Sequence, residues 1–168
     1  VRACAGSVGA VEVMVYNAGR LDLAPILDTS AETFTASWQT NALGAFLCAR
    51  HFAPMMIERG RGSMIFVGAT SSVRGGARTH AFASAKHALR GLASSLAKEL
   101  GPRGVHVAHL VIDGKVWGRR TRERFPGVHE EECLQPVDVA AAICALLEQP
   151  RSAWTFEMDL RPSVENWR

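Results

Sequence analysis

Short, nearly continuous apolar runs alternate with longer amphipathic stretches along the chain. Val11–Tyr16 (VEVMVY), Ser63–Gly68 (SMIFVG) and Val105–Ile112 (VHVAHLVI) each end at glycine or a polar turn. Runs of this length, apolar on both alternating faces, predict strands of a parallel sheet covered on both sides. Trp154–Leu160 predicts a last strand. Between them, Thr29-Ser30-Ala31-Glu32 predicts a capping box, with Thr29 as N-cap and Glu32 reaching back. A helix is expected from there to about Glu58, kinked by Pro54 near its end and stopped by Arg59-Gly60-Arg61-Gly62. Ala69–Thr79 reads as a polar, glycine-rich loop. A second helix is expected over Ala81–Leu100, ended by Gly101-Pro102-Arg103-Gly104. Pro136–Glu148 predicts a third, with proline at the first helical position. Asp113–Gln135 shows no clean period and reads as a long loop with a helical turn. Val1–Gly9 reads as the last turns of a helix that Gly9 closes. This order of elements is that of an α/β fold, a single domain over residues 1–168 with helices on both faces of a parallel sheet.

Composition narrows the function classes. Nineteen Lys+Arg against sixteen Asp+Glu leave +3, without a basic tail or a run of like charge, so no nucleic-acid partner is expected. No apolar stretch reaches the ~20 residues of a membrane span, and no membrane partner is expected. Cys4, Cys48, Cys133 and Cys144 lie scattered, which suits reduced thiols and a cytoplasmic location. His106 and His109, three apart on a strand, point to opposite faces and make no metal pair; no metal is expected.

Three elements in order carry the candidate chemistry: Asn17-Ala18-Gly19 after the first strand, Asn41 in the next helix, and Phe82-Ala83-Ser84-Ala85-Lys86 opening another. Together they resemble the short-chain dehydrogenase/reductase family, over essentially the whole chain from Val11 to about Leu160. The resemblance implies a Rossmann-like, doubly wound sheet and NAD or NADP as cofactor. It implies a carbonyl or alcohol as small-molecule substrate, and pairing of the Ala81–Leu100 helices into a homo-oligomer. In that helix Ala81, Ala85 and Ala88 form one small-residue stripe, and Ser84, Ala88, Gly91 and Ser95 another. It further implies cofactor contacts from Asn17, Ala18, Gly19 and Lys86, and from Gly114 and Val116 in the turn after the third strand. Lys86 and Asn41 match the family's catalytic lysine and asparagine.

Two catalytic positions depart from the family. Phe82 stands where a tyrosine is expected, and phenylalanine has no proton to give or take. Ala69 stands where the serine is expected, followed by Thr70, Ser71 and Ser72. Replacement acids are sought among Thr70, Ser71, His80 and Ser84, with Thr70 taken as the catalytic candidate. The one tyrosine, Tyr16, lies in the first strand and is no obvious substitute. Asp113 replaces the proline of the family's Pro-Gly turn. Lys115, Arg119, Arg120, Arg122 and Arg124, with Glu130, Glu131 and Glu132, mark the following loop either as a lid for an anionic substrate or as a self-balanced solvated segment.

The family's phosphate turn, T-G-x-x-x-G-x-G, does not occur in the sequence. The resemblance therefore implies an N-terminally truncated sheet, with roughly 70 further residues of a βαβαβ half before Val1. The functional expectation is an NAD(P)-dependent oxidoreductase with an atypical active site. The alternative is a non-catalytic member of the same fold that binds a nucleotide or a partner.

Overall fold

The computed structural model describes residues 10–165; the expected helix end at Gly9 lies outside them. A four-stranded sheet runs in the order β1-β2-β3-β6, all neighbours parallel. Its strands are β1 (Val13–Tyr16), β2 (Gly62–Val67), β3 (Val105–Ile112) and β6 (Glu157–Leu160). Every residue of β3 is buried, as a central parallel strand between two helical layers requires.

The first connection differs from the single helix expected. Helix α1 (Ala31–Trp38) and helix α2 (Gly44–Arg59) are joined through a π-helical turn, Gln39–Leu43. The α1 N-cap is Ser30, whose hydroxyl accepts from the Thr33 amide at 3.1 Å. Thr29 is not the cap, because its hydroxyl donates to the Pro25 carbonyl and meets His80 Nε2 instead. Helix α2 continues through Pro54 and closes at Gly60. Helix α3 (His80–Leu100) follows β2, and α5 (Pro136–Leu147) precedes β6. The segment expected to be loop holds helix α4 (Arg119–Arg124) and a two-stranded parallel sheet, β4 (Lys115–Val116) with β5 (Cys133–Leu134).

Strand parity divides the core between two layers. Met14, Tyr16, Met64, Phe66 and Val107 pack with Ala45, Ala49, Met56, Leu89 and Ala93 of α2 and α3. Ile65, Val67, Ala108, Leu110 and Ile112 pack with Leu146 of α5. Helix α5 covers β2 and β3 but leaves β1 open on that face, where Val13 and Val15 are each 41% exposed. Among the described residues no strand pairs with the outer edge of β1.

Candidate active site

The segments that follow β1, β2 and β3 converge at the carboxyl ends of the strands, where ligands enter open parallel sheets. They bound a cleft of about 510 Å³ with Asn17 and Gly19 from the first, Gly68 to Ser71 from the second, and Ile112 and Gly114 from the third. Phe82 and Lys86 project into it from the first turns of α3. Leu21, Leu23, Val116 and Phe125 make the outer wall, which is apolar.

Phe82 and Lys86 lie one helical turn apart, with the ammonium 5.7 Å from the ring centroid. Lys86 is 5% exposed and donates to the Val67 carbonyl at 2.8 Å. Among the described residues it has no carboxylate partner. Burial without a counter-charge pulls its pKa from 10.5 down to about 8. The Gly19 backbone closes over this group. A Cβ there would stand 3.9 Å from Lys86 Nζ and 3.4 Å from Asn41 Oδ1.

Asn41 reaches the loop after β1 because it sits in the π-helical turn. Its Nδ2 donates to the carbonyls of Arg20 and Ser37, both at 2.9 Å, and its Oδ1 accepts from the Arg20 amide at 3.3 Å. The side chain is fully buried and pins the Asn17–Arg20 loop to the helix. Tyr16 secures the same turn from the other side, donating to the Thr40 carbonyl at 2.5 Å. Gly44 makes room for it, since a Cβ there would meet the Tyr16 hydroxyl at 2.2 Å. Burial and then the nearby Cys48 raise the Tyr16 pKa above its ordinary 10, so Tyr16 stays a protonated structural donor.

Thr70 lines the cleft, but its hydroxyl proton goes to Asp113 Oδ1 at 2.6 Å. Asp113, 2% exposed, also takes Arg74 at 3.0 Å and Arg161 at 3.2 Å. This buried knot ties together the turns after β2, β3 and β6, a link with no local sequence signal. The Asp113 amide also donates to the Leu160 carbonyl at 2.8 Å, a bond that proline could not make. Gly114 holds φ at +150°, and a Cβ there would strike Pro162 at 2.8 Å. Val116, two residues on, faces the cleft.

The other hydroxyl candidates separate clearly. Ser71 lines the cleft, and among the described residues nothing hydrogen-bonds its hydroxyl. Ser84 is exposed and donates to the Ala81 carbonyl, and His80 is held by Thr29 at 2.7 Å; neither lines the cleft. His106 meets the Thr155 carbonyl and stacks on Trp154, while His109 is bonded to Glu157 at 2.9 Å. The lid arginines are engaged locally. Arg124 donates to the Leu21 carbonyl at 2.8 Å, Arg122 covers Trp117, and Arg119 faces Glu123. Leu21 and Phe125 are cleft walls that the sequence did not single out, because an isolated apolar loop residue carries no periodic signal.

Comparison with known proteins bears on the family and the fold. Residues 1–114 match the profile of the short chain dehydrogenase family. The chain is 32% identical over 163 residues to 2,3-dihydroxy-2,3-dihydro-p-cumate dehydrogenase from Pseudomonas putida, covering 91% of this chain and 62% of that protein. The crystal structure of a short-chain dehydrogenase from Rhodopseudomonas palustris superposes with a TM-score of 0.79 at 38% identity, over 96% of this chain and 66% of that one. A metagenomic short-chain oxidoreductase in complex with NADP superposes with a TM-score of 0.79 at 25% identity, over 98% and 67%. The chain spans 39% to 62% of the length of the first curated relatives it matches. Among the described residues no helix is long and apolar enough to cross a membrane.

Proposed function

The chain belongs to the short-chain dehydrogenase family, and we propose that it forms the nicotinamide and substrate side of an NAD(P)-dependent oxidoreductase acting on a carbonyl/alcohol pair. The observation that carries this reading is Lys86, a buried cation without an acid partner among the described residues, in a cleft that Gly19 and Gly114 also line. Those residues fit the nicotinamide ribose and its amide. Lys86 would hold the ribose hydroxyls, Asn17 and Gly19 would line the approach, and the turn at Gly114 and Val116 would meet the ring. The cofactor, when bound, supplies or accepts the hydride.

This chain's own residues do the rest. Asn41 acts as a positioning residue, holding the Asn17–Arg20 backbone. Phe82 cannot donate a proton. The Lys86 ammonium is the titratable group on the cleft wall and is the proton source assigned here. Ser71 offers the hydroxyl that steadies a carbonyl oxygen. Thr70 supplies an oxygen acceptor only, its proton being committed to Asp113. The apolar wall of Leu21, Ile112, Val116 and Phe125 selects an apolar substrate. An exposed groove of Trp38, Leu43, Phe46, Ala88 and Leu92 beside the open Ser84–Ser95 stripe suits a homo-oligomer, and the location proposed is cytoplasmic.

A non-catalytic binding member of the family is the second reading, favoured by Phe82 and Ala69. Binding of reduced nicotinamide mononucleotide, followed by its fluorescence, tests the first. Saturable binding that Lys86→Met weakens at least ~10-fold supports it. Failure to bind, or binding indifferent to Lys86, contradicts it.

A further inference from the structure

We propose that Lys86 is a nucleophilic lysine: its amine condenses with an aldehyde or unhindered ketone entering the cleft, forming a covalent imine without any nicotinamide cofactor. This goes beyond the redox reading and requires only that the cleft admit an apolar carbonyl compound.

Four observations converge on it. Lys86 lines an open cleft of about 510 Å³, and its Nζ lies beside two other lining residues, Gly19 and Val67. Its one hydrogen-bond partner among the described residues is the neutral Val67 carbonyl. Among the described residues no carboxylate or phenolate pairs with it. Phe82 offers only a ring face at 5.7 Å, near the ~6 Å limit of a useful cation–π contact. Gly19 presents no side chain between the amine and the loop. An ammonium so poorly compensated loses its proton readily, consistent with its lowered pKa. A desolvated amine in an apolar pocket is the form in which lysine attacks carbonyl carbon. In a site with a phenol at position 82, a phenolate would hold the ammonium and suppress this chemistry; Phe82 removes that brake.

The step balances without an oxidant or reductant. The Nζ lone pair forms a bond to the carbonyl carbon, and the carbonyl π pair moves to oxygen, which takes a proton. The carbinolamine then expels that oxygen as water, the second amine proton leaves, and the C=N bond forms. Ser71, whose hydroxyl is unengaged among the described residues, lies on the cleft wall where it can steady the departing oxygen. Leu21, Ile112, Val116 and Phe125 favour an aliphatic or aromatic carbonyl over a charged one.

The chain has three lysines, Lys86, Lys98 and Lys115, and the latter two are exposed. Incubation with butanal and cyanoborohydride at pH 7, without cofactor, followed by peptide mapping, reads the imine as a stable alkylamine. A depressed pKa raises the neutral fraction about tenfold per unit, so Lys86 should be alkylated at least ~10-fold faster than Lys98 or Lys115. Lys86→Arg should abolish that fast event and leave the other two unchanged. Alkylation of Lys86 at or below the rate of the exposed lysines in the wild-type chain overturns the proposal. So does fast alkylation that survives Lys86→Arg.

Discussion

The Lys86 ammonium stands 5.7 Å from the Phe82 ring centroid, one turn along α3, with no ion-pair partner among the described residues. Replacing Phe82→Tyr places a phenol next to that charge. Tyr16, the only native tyrosine, is pushed above pKa 10 by burial. Ultraviolet titration of Phe82→Tyr should therefore show a second phenol ionising well below Tyr16, and Lys86→Met should remove that downward shift. In a chain that turns over a ketone, Phe82→Tyr with Ala69→Ser should raise the rate by about 10²–10⁴-fold, the usual contribution of a general acid.

The buried ammonium also predicts a stability profile. Its pKa falls from 10.5 unfolded to about 8 folded, so between those values the unfolded chain binds more protons and stability rises with pH. Below pH 8 the full penalty applies, about 3 kcal/mol from a shift of this size. Lys86→Met should be the more stable protein at pH 7 in urea denaturation, by about 2 kcal/mol after losing the bond to Val67. That advantage should shrink steadily from pH 8 towards pH 10.5.

Tyr16 and Gly44 should be energetically coupled through the π-helical turn. Tyr16→Phe leaves the Thr40 carbonyl without its donor and should cost about 1–3 kcal/mol. Gly44→Ala drives a Cβ to 2.2 Å from the hydroxyl and should cost a similar amount by overpacking. The double variant should lose clearly less than the sum, as expected for groups in contact. Denaturant midpoints of the four proteins check this.

Asp113 should act as a structural anchor for the cleft floor. Asp113→Asn replaces the buried carboxylate that meets Arg74 and Arg161 with a neutral amide and should cost about 3 kcal/mol. Asp113→Pro, which restores the family's turn residue, should cost more, because it also removes the amide bond to Leu160. Thermal unfolding of both variants separates the two contributions.

Much of this fold was legible because its signals are local. The mostly apolar β2 and β3, the glycine stops, and Pro136 at a helix start each report on their own neighbourhood. The π-helical turn was not, because hydrophobic spacing does not distinguish an i+4 from an i+5 step over five residues. The cap fell on Ser30 rather than Thr29 because Thr29 had a competing partner in His80, 51 positions away. Two-residue strands such as β4 and β5 carry no periodicity at all. At the site, Lys86, Asn41 and Gly19 were legible by resemblance and meet in space. The engagement of Thr70 by Asp113, and of Asp113 by Arg74 and Arg161, joins residues 39 or more positions apart and could be seen only in three dimensions.

On the function proposed above, the cleft above β1, β2 and β3 receives the nicotinamide end of NAD(P). The sequence contains no T-G-x-x-x-G-x-G turn to hold the pyrophosphate, so this chain should bind NADPH scarcely more tightly than the mononucleotide. The most direct measurement is amide-resolved NMR of the 168-residue chain during an NADPH titration. Saturable shifts concentrated at residues 17–19, 68–71 and 112–116, and lost in Lys86→Met, are the predicted result. Absence of shifts at those amides, or shifts confined to the open face of β1 at Val13 and Val15, would contradict it.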